Sequence, residues 1–372
     1  MSERALESPV AARGYWASAW LRLRRNRASV ASLSVLAFLG FACLFGPALT
    51  GHAFDRVYQD YVREPASLTA HLAPEKVLPA LERLAPRMRL VLGEVLVEQD
   101  TVFAVFTAPR PIDERNLAFV ERSDLFGPVT ILAREDEGKR LRVSIPVERR
   151  FFLFGTDSNG RDLLTRILIA GRISIAIGLI ASGIALLIGV TYGAVSGYAG
   201  GRVDMLMMRI VDILYSLPFI FFVILLVVFF GRNFILMFIA VGAVEWLDMA
   251  RIVRGQTLSL KRQEFVQAAE ALGVGTSGIL RRHIIPNLMG PVIVYVTLLV
   301  PKVILLESFL SFLGLGVQEP MTSLGVLISD GARSIQGGSY LLVYPAGMLI
   351  ALLFALNFIG DGLRDALDPK DR

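Results

Sequence analysis

Six apolar runs divide this chain. Ala28–Thr50 is the first, long enough to cross a hydrocarbon core of about 30 Å, which takes roughly 20 helical residues. Ile173–Val195, Met205–Phe230, Phe234–Trp246, Pro291–Leu313 and Leu341–Ile359 follow. Each is predicted as a helix. The third has an amphipathic start after a tight turn at Gly200–Asp204 and holds Pro218. The second carries a glycine stripe, Gly189, Gly193, Gly197 and Gly201, at four-residue spacing. Such a stripe lets a neighbouring helix approach backbone to backbone.

Two intervals between the runs have a pattern of their own. Residues 51–168 mix charges of both signs and contain no span-length apolar run. Pro74–Leu84 reads as a helix there, and Arg89–Val97, Thr101–Thr107, Val129–Ala133 and Leu141–Val147 alternate as short strands. A small α+β domain is therefore predicted between the first and second spans.

The other interval is Glu264–Asn287, the longest well-patterned polar segment of the second half. Gln263–Leu272 is rich in helix formers, with Ala268, Ala269 and Ala271 small enough to let another surface approach. Gly273 stands where a helix is stopped in the left-handed conformation that glycine adopts cheaply. Thr276 or Ser277 can cap a second short helix. That helix carries Arg281, Arg282 and His283 and is expected to close at Pro286. A compact, basic, bent helical pair between two spans reads as a docking element.

Composition agrees with the pattern. Of the 372 residues 54% are hydrophobic and 19% charged, with mean hydropathy +0.58, too apolar for a soluble domain of this size. One cysteine and three histidines exclude a disulfide scaffold and leave little for a metal site. The formal charge of +5 is compatible with nucleic acid, but the arginines flank apolar spans, as the cytoplasmic loops of membrane proteins do. The expected surroundings are a lipid bilayer, with no nucleic acid.

Residues 1–27 interleave Tyr15, Trp16 and Trp20 with Arg22, Arg24, Arg25 and Arg27, the pattern of a short helix in the headgroup region. The run at residues 28–50 is too long for a signal-peptide core, so an uncleaved first span is expected. An even span count puts both termini on one side. Arg251, Arg254, Lys261, Arg262, Arg281 and Arg282 make that side cytoplasmic.

No catalytic set accompanies these features. Gly273–Gly278 spells G-x-G-x-x-G but lacks the preceding strand and long following helix of a dinucleotide site. No P-loop or H-E-x-x-H is present, and no serine or cysteine is matched with a base. No cofactor, metal or enzymatic activity is expected of this chain. The charges inside spans call for a reason. Glu245 and Asp248 lie one turn apart, with Arg251 in reach of Asp248 at i,i+3, and read as a structural ion pair. Lys302 and Glu307 lie deeper in the fifth span and either face a translocation path or pair across the bundle.

The docking stretch also carries a resemblance. Ala268, Ala269, Gly273 and Pro286 fall on the pattern of the cytoplasmic "EAA" loop of ABC-importer permeases, with Gln267 where that family most often has glutamate. Phe154–Arg166, Glu307–Gly316, Gln318–Pro320 and Asn357–Arg372 resemble the peptide-importer branch, its oligopeptide C subunits above all, and the residues from Gly51 to about Arg150 depart from it.

The resemblance implies an all-α polytopic fold, a type I ABC importer permease of six transmembrane helices. It would be laid out as a cytoplasmic segment (1–27), a first helix (28–50), a periplasmic α+β insertion (51–168), a permease domain (169–362) with its coupling loop (251–289), and a cytoplasmic tail (363–372). It implies a homologous permease subunit as heterodimer partner, two cytoplasmic ABC ATPase subunits that bind ATP and Mg, and a periplasmic peptide-binding protein. Glu264, Gln267, Ala268, Ala269, Gly273, Arg281, Arg282, His283 and Pro286 would then form the ATPase-docking loop. Dipeptides, nickel chelates and peptide antibiotics are alternative cargoes. A secondary transporter would show internal repeats and interrupted helices, and a membrane-anchored binding protein would do its work in the extra domain.

Overall fold

The computed structural model describes residues 15–70, 74–98, 100–230 and 234–367. Most of the basic N-terminal segment (1–14) and the end of the tail (368–372) lie outside the described residues, as do the side chains of Tyr15 and Trp16. The chain divides into two units. One comprises the described residues up to Phe45, Ile169–Ser329 and those from Pro345 on; the other is Gly46–Leu168 with Asp330–Tyr344.

The first unit is helical. Helix α1 (Tyr15–Arg25) ends in Arg22, Arg24 and Arg25. Asn26 separates it from α2 (Arg27–Leu49). Its Oδ1 accepts the amide N–H groups of Ala28 at 3.1 Å and Ser29 at 3.3 Å, so the second helix starts on a side-chain cap.

A later helix, Leu163–Ala199, runs for 37 residues, about 55 Å at the usual rise and well beyond the bilayer core. It breaks only at Gly200 and Gly201, whose φ values are +67° and +54°. The expected turn is therefore shorter than Gly200–Asp204, because Asp204 already lies inside the next helix, Gly201–Ser216. Leu217, ahead of Pro218, is extended, as a residue before proline tends to be. The chain bends there by 85° before the helix ending at Phe230. Phe234–Leu260 and Glu264–Ala271 follow.

Pro286 does not close the second short helix. Thr276–Ile279 passes through a π turn, Leu280–Ile284, into Ile285–Phe312. The wider turn puts the proline at the start of the next α segment, where its missing N–H is tolerated. Nor does Thr276 or Ser277 cap that helix; Gly275 holds the capping position with no side-chain bond.

Among the described residues four helices are long and apolar enough to cross a membrane: Arg27–Leu49, Leu163–Ala199, Thr276–Phe312 and Tyr340–Leu367. The bent pair around Pro218 is a fifth if counted as one span. Phe234–Leu260 stands apart from these, with Glu245, Asp248, Arg251 and Arg254 along its length.

The second unit is the α+β domain. Its four strands are β1 (Val91–Glu98), β2 (Thr101–Thr107), β3 (Thr130–Glu135) and β4 (Arg140–Pro146), in the order β1-β2-β4-β3 and antiparallel throughout. In β2 and β4 the buried partners stand opposite one another, Val102 with Ile145, Ala104 with Val143 and Phe106 with Leu141. The helix Pro74–Leu84 buries Val77, Ala80, Leu81 and Leu84 in the same core, the one-faced stripe of an amphipathic helix.

Within this unit Asp157 accepts hydrogen bonds from the backbone N–H groups of Asn159 and Arg161 at 2.8 and 2.9 Å. The Arg161 guanidinium donates at 2.9 Å, and Arg166 donates through Nη1. Burial alone would push the Asp157 carboxyl up; Arg166 and Arg161 outweigh it and hold it below the usual carboxylate range. Gly160 has φ +80°, and a Cβ there would stand 2.1 Å from the Tyr58 carbonyl oxygen, so only glycine fits this turn. Asp162 caps Leu163–Ala199 by accepting from the Thr165 N–H at 2.7 Å and hydroxyl at 2.6 Å. The segment Phe154–Arg166 is thus a structural turn and helix start.

Candidate functional site

Glu264–Ala271 is a helix of eight residues that buries one face and exposes the other. Val266 and Ala269 are buried, and they share a cluster with Tyr198, Val253, Ile279 and Ile284. Glu264, Gln267, Ala268 and Gly273 are exposed, so the two alanines of the pattern point to opposite surroundings. The helix ends in a glycine-terminated cap: the Gly273 N–H donates to the Glu270 carbonyl at 2.9 Å and the Val274 N–H to the Ala269 carbonyl at 3.1 Å. Gly273 has φ +78°, and nothing lies within 4 Å of the place a Cβ would take. Glycine is needed there for the turn and leaves open space outside it.

The outer surface of this bend is apolar where it should be polar in an isolated protein. Leu272 is 84% exposed and Phe265 41%. Around them Arg281, Arg282 and Pro286 are exposed and His283 is half-buried, with its ring 6.4 Å from that of Phe265. The sequence pattern does not single out Leu272 and Phe265; for Leu272 the signal is a large apolar residue immediately before the helix-stopping glycine.

The inner surface is fixed to the long helices. The Tyr198 hydroxyl donates to Glu270 at 2.8 Å, while Lys261 Nζ donates to the Tyr198 carbonyl at 2.6 Å and lies 4.9 Å from the centre of its ring. Below this, the glycine stripe sets Leu163–Ala199 against Phe234–Leu260. A Cβ on Gly189 would meet the Met249 side chain at 2.5 Å, one on Gly193 the Ala250 carbonyl at 2.4 Å, and one on Gly197 the Arg254 carbonyl at 2.8 Å. Gly201 does not continue the stripe; its Cβ would meet nothing, and its role is the positive-φ turn. Asp204 locks the same corner, taking two bonds of 2.6 Å from Arg254 and one of 2.5 Å from the Ser196 hydroxyl. The bend thus sits on a closely packed helix pair.

The charges on Phe234–Leu260 and Thr276–Phe312 pair differently from the sequence expectation. Arg251 reaches Asp212 at 2.8 Å, not Asp248. Asp248 and Glu245 both turn to Lys302, at 3.2 and 2.8 Å. Lys302 therefore pairs across the bundle and also opens on a cavity. Glu307 is fully buried, accepting from Ser311 and Ser323 at 2.6 Å and from Ser174 at 3.3 Å. Three hydroxyls from separate segments offset the cost of burying that carboxyl.

A bundle of long apolar helices with ion pairs set between them is the architecture of a membrane transport subunit. Comparison with known proteins agrees. Residues 189–372 match the family described as binding-protein-dependent transport system inner membrane component, and residues 14–74 match the N-terminal TM domain of oligopeptide transport permease C. Neither match includes residues 75–188.

The chain is 60% identical over 240 residues to the oligopeptide transport system permease protein OppC of Escherichia coli (strain K12), covering 64% of this chain and 80% of that one. It is 55% identical over 256 residues to OppC of Haemophilus influenzae, covering 69% and 81%, and 49% identical over 220 residues to the dipeptide transport system permease protein DppC of Bacillus subtilis, covering 59% and 69%. The chain belongs to the family of inner-membrane permease components of binding-protein-dependent ABC importers.

Proposed function

We propose that this chain is the permease subunit of an ATP-driven importer for oligopeptides, forming half of a translocation path with a homologous permease. The observation that carries the reading is the bend at Gly273: an apolar, basic surface held on a rigid helix pair and left uncovered. An ATPase subunit docked there would transmit its closure through Glu264–Ala271 to Leu163–Ala199 and Phe234–Leu260. ATP and Mg belong to two such ATPases, and cargo selection belongs largely to a periplasmic binding protein. The oligopeptide relatives support the cargo class.

In this reading Phe234–Leu260 is a sixth span, shielded from lipid by its neighbours and by the partner permease. Six spans place both termini and the bend in the cytoplasm and the α+β domain in the periplasm, where it would contact the binding protein or the partner permease. Topology is tested with single cysteines at Glu98 and Gly275 in a Cys43→Ser background, exposed to an impermeant thiol reagent in intact cells. Glu98 should label and Gly275 should not; the reverse overturns the topology. Function is tested by co-purification: two ATPase subunits and a peptide-loaded binding protein are expected, and peptide uptake without any ATPase would indicate a secondary transporter.

A further inference from the structure

The cavity beside Lys302 joins a charged cluster to apolar walls. It measures about 330 Å³ and is lined by Leu214, Leu217, Pro218, Phe222 and Leu306 around the side chains of Glu245, Asp248 and Lys302. That is the low end of the size range of small-molecule sites, which combine apolar walls with a few convergent polar groups. It suits one or two residues of a peptide at a time.

The charges are unequal. Lys302 lies closer to Glu245, which is only 4% exposed, than to Asp248, whose side chain is 29% exposed. Arg251 pairs instead with Asp212, with its guanidinium 4.2 Å from the centre of the Tyr215 ring. In the cluster at the cavity, two carboxylates, Glu245 and Asp248, share the one cation Lys302, leaving one negative charge in excess. Lys302 donates to both carboxylates, at 2.8 Å to Glu245 and 3.2 Å to Asp248, but a carboxylate has about four lone-pair sites, so Asp248 keeps acceptor capacity toward the cavity. An intramembrane charge is costly when it faces lipid, so this face must meet protein or water.

We propose that this cavity is a subsite for the α-ammonium group of a peptide in transit, received by Asp248 while the apolar walls take the first side chain. This rests on the peptide-permease reading and adds the end of the peptide that the permease itself recognises. The alternative is a purely structural pair bracing Phe234–Leu260 against Thr276–Phe312.

The test is direct binding to the assembled permease–ATPase complex without its binding protein, using a tripeptide with a free amino terminus and its N-acetylated form. The wild-type complex should bind the free tripeptide saturably and at least about tenfold more tightly than the acetylated one, as for loss of one charge-assisted bond. Asp248→Asn, which keeps the side-chain volume, should abolish that difference, and Asp248→Glu should restore part of it. Equal binding of the two peptides, no binding by the wild type, or an unchanged preference in Asp248→Asn would each overturn the proposal. Peptide uptake by the wild-type transporter is measured alongside. Uptake with no terminus preference refutes the subsite alone, and absence of uptake refutes the peptide-permease reading.

Discussion

The bend at Gly273 and the α+β domain are both polar intervals between apolar runs, yet they solve opposite problems. The domain closes a core of its own, with Phe106, Leu141, Val143, Ile145, Leu81 and Met88 almost wholly buried. Its charges meet inside the same unit, as at Asp157. The bend buries only Val266 and Ala269 of its first helix and turns Phe265 and Leu272 outward. A unit with its own core is complete alone. A short helix with an apolar residue on each side is complete only when something covers the second one. The difference separates a part that closes on itself from one whose outer face is left uncovered.

The largest expected effect breaks the bend. Gly273→Asp costs about 1–2 kcal/mol for a side chain in the left-handed conformation, and its Cβ meets nothing within the chain. The chain should therefore still insert and pair. A docked ATPase would meet an added charge that it must desolvate. Uptake should be abolished and the ATPases lost on purification; normal uptake with the ATPases retained would remove the bend from the coupling route.

The next largest breaks the domain without touching the bend. Phe106→Ala opens a cavity in a fully buried site and should destabilise the domain by about 3–5 kcal/mol. Limited proteolysis should show faster cleavage within residues 51–168, with ATPase co-purification unchanged. Loss of the ATPases would join the two regions into one cooperative unit.

Acid should act on the domain in a narrower way. The Asp157 carboxyl is held below its unfolded value of about 3.9. Its contribution is present above that pH and is lost as pH falls below it, through the folded value. Thermal unfolding of the full chain in detergent should lose stability in that window. Asp157→Asn should remove this part of the pH dependence while lowering stability at neutral pH. A variant whose pH profile overlays the wild type would assign the acid sensitivity to other groups.

The smallest effect is Gln267→Glu. Gln267 is exposed, and its side chain donates only to the Arg262 carbonyl at 3.3 Å. Exposed substitutions of this kind usually stay within about 0.5 kcal/mol. Uptake and ATPase binding should match the wild type, and a marked loss would mean that Gln267 contacts the partner directly.

Local signals were legible in the sequence and cross-chain ones were not. Pro74–Leu84 has the bounds its pattern predicts, β2 likewise, and the other three strands shift by one or two residues. Gly273 takes the left-handed turn expected of it. These rest on periodicity and on glycine chemistry, which act within a few residues. Pro286 misled because proline normally stops a helix, whereas here a π turn precedes it and leaves it at the start of the next α segment, a position its residue type does not announce. Asp248 was assigned to Arg251 by sequence proximity, whereas its partner Lys302 lies 54 residues further on. Of the serines that hold Glu307, Ser311 stands one helical turn away, but Ser174 and Ser323 come from other segments and no spacing announces them.

The most direct measurement is a cross-link at the uncovered surface of the bend. Leu272→Cys and Glu98→Cys, each in a Cys43→Ser background, are treated in membranes with a short thiol-to-amine cross-linker in the presence of the ATPase subunits. A docked bend predicts an ATPase adduct from position 272 and none from position 98. An ATPase adduct at 98, or none at 272 while the ATPases co-purify, would contradict docking at Gly273.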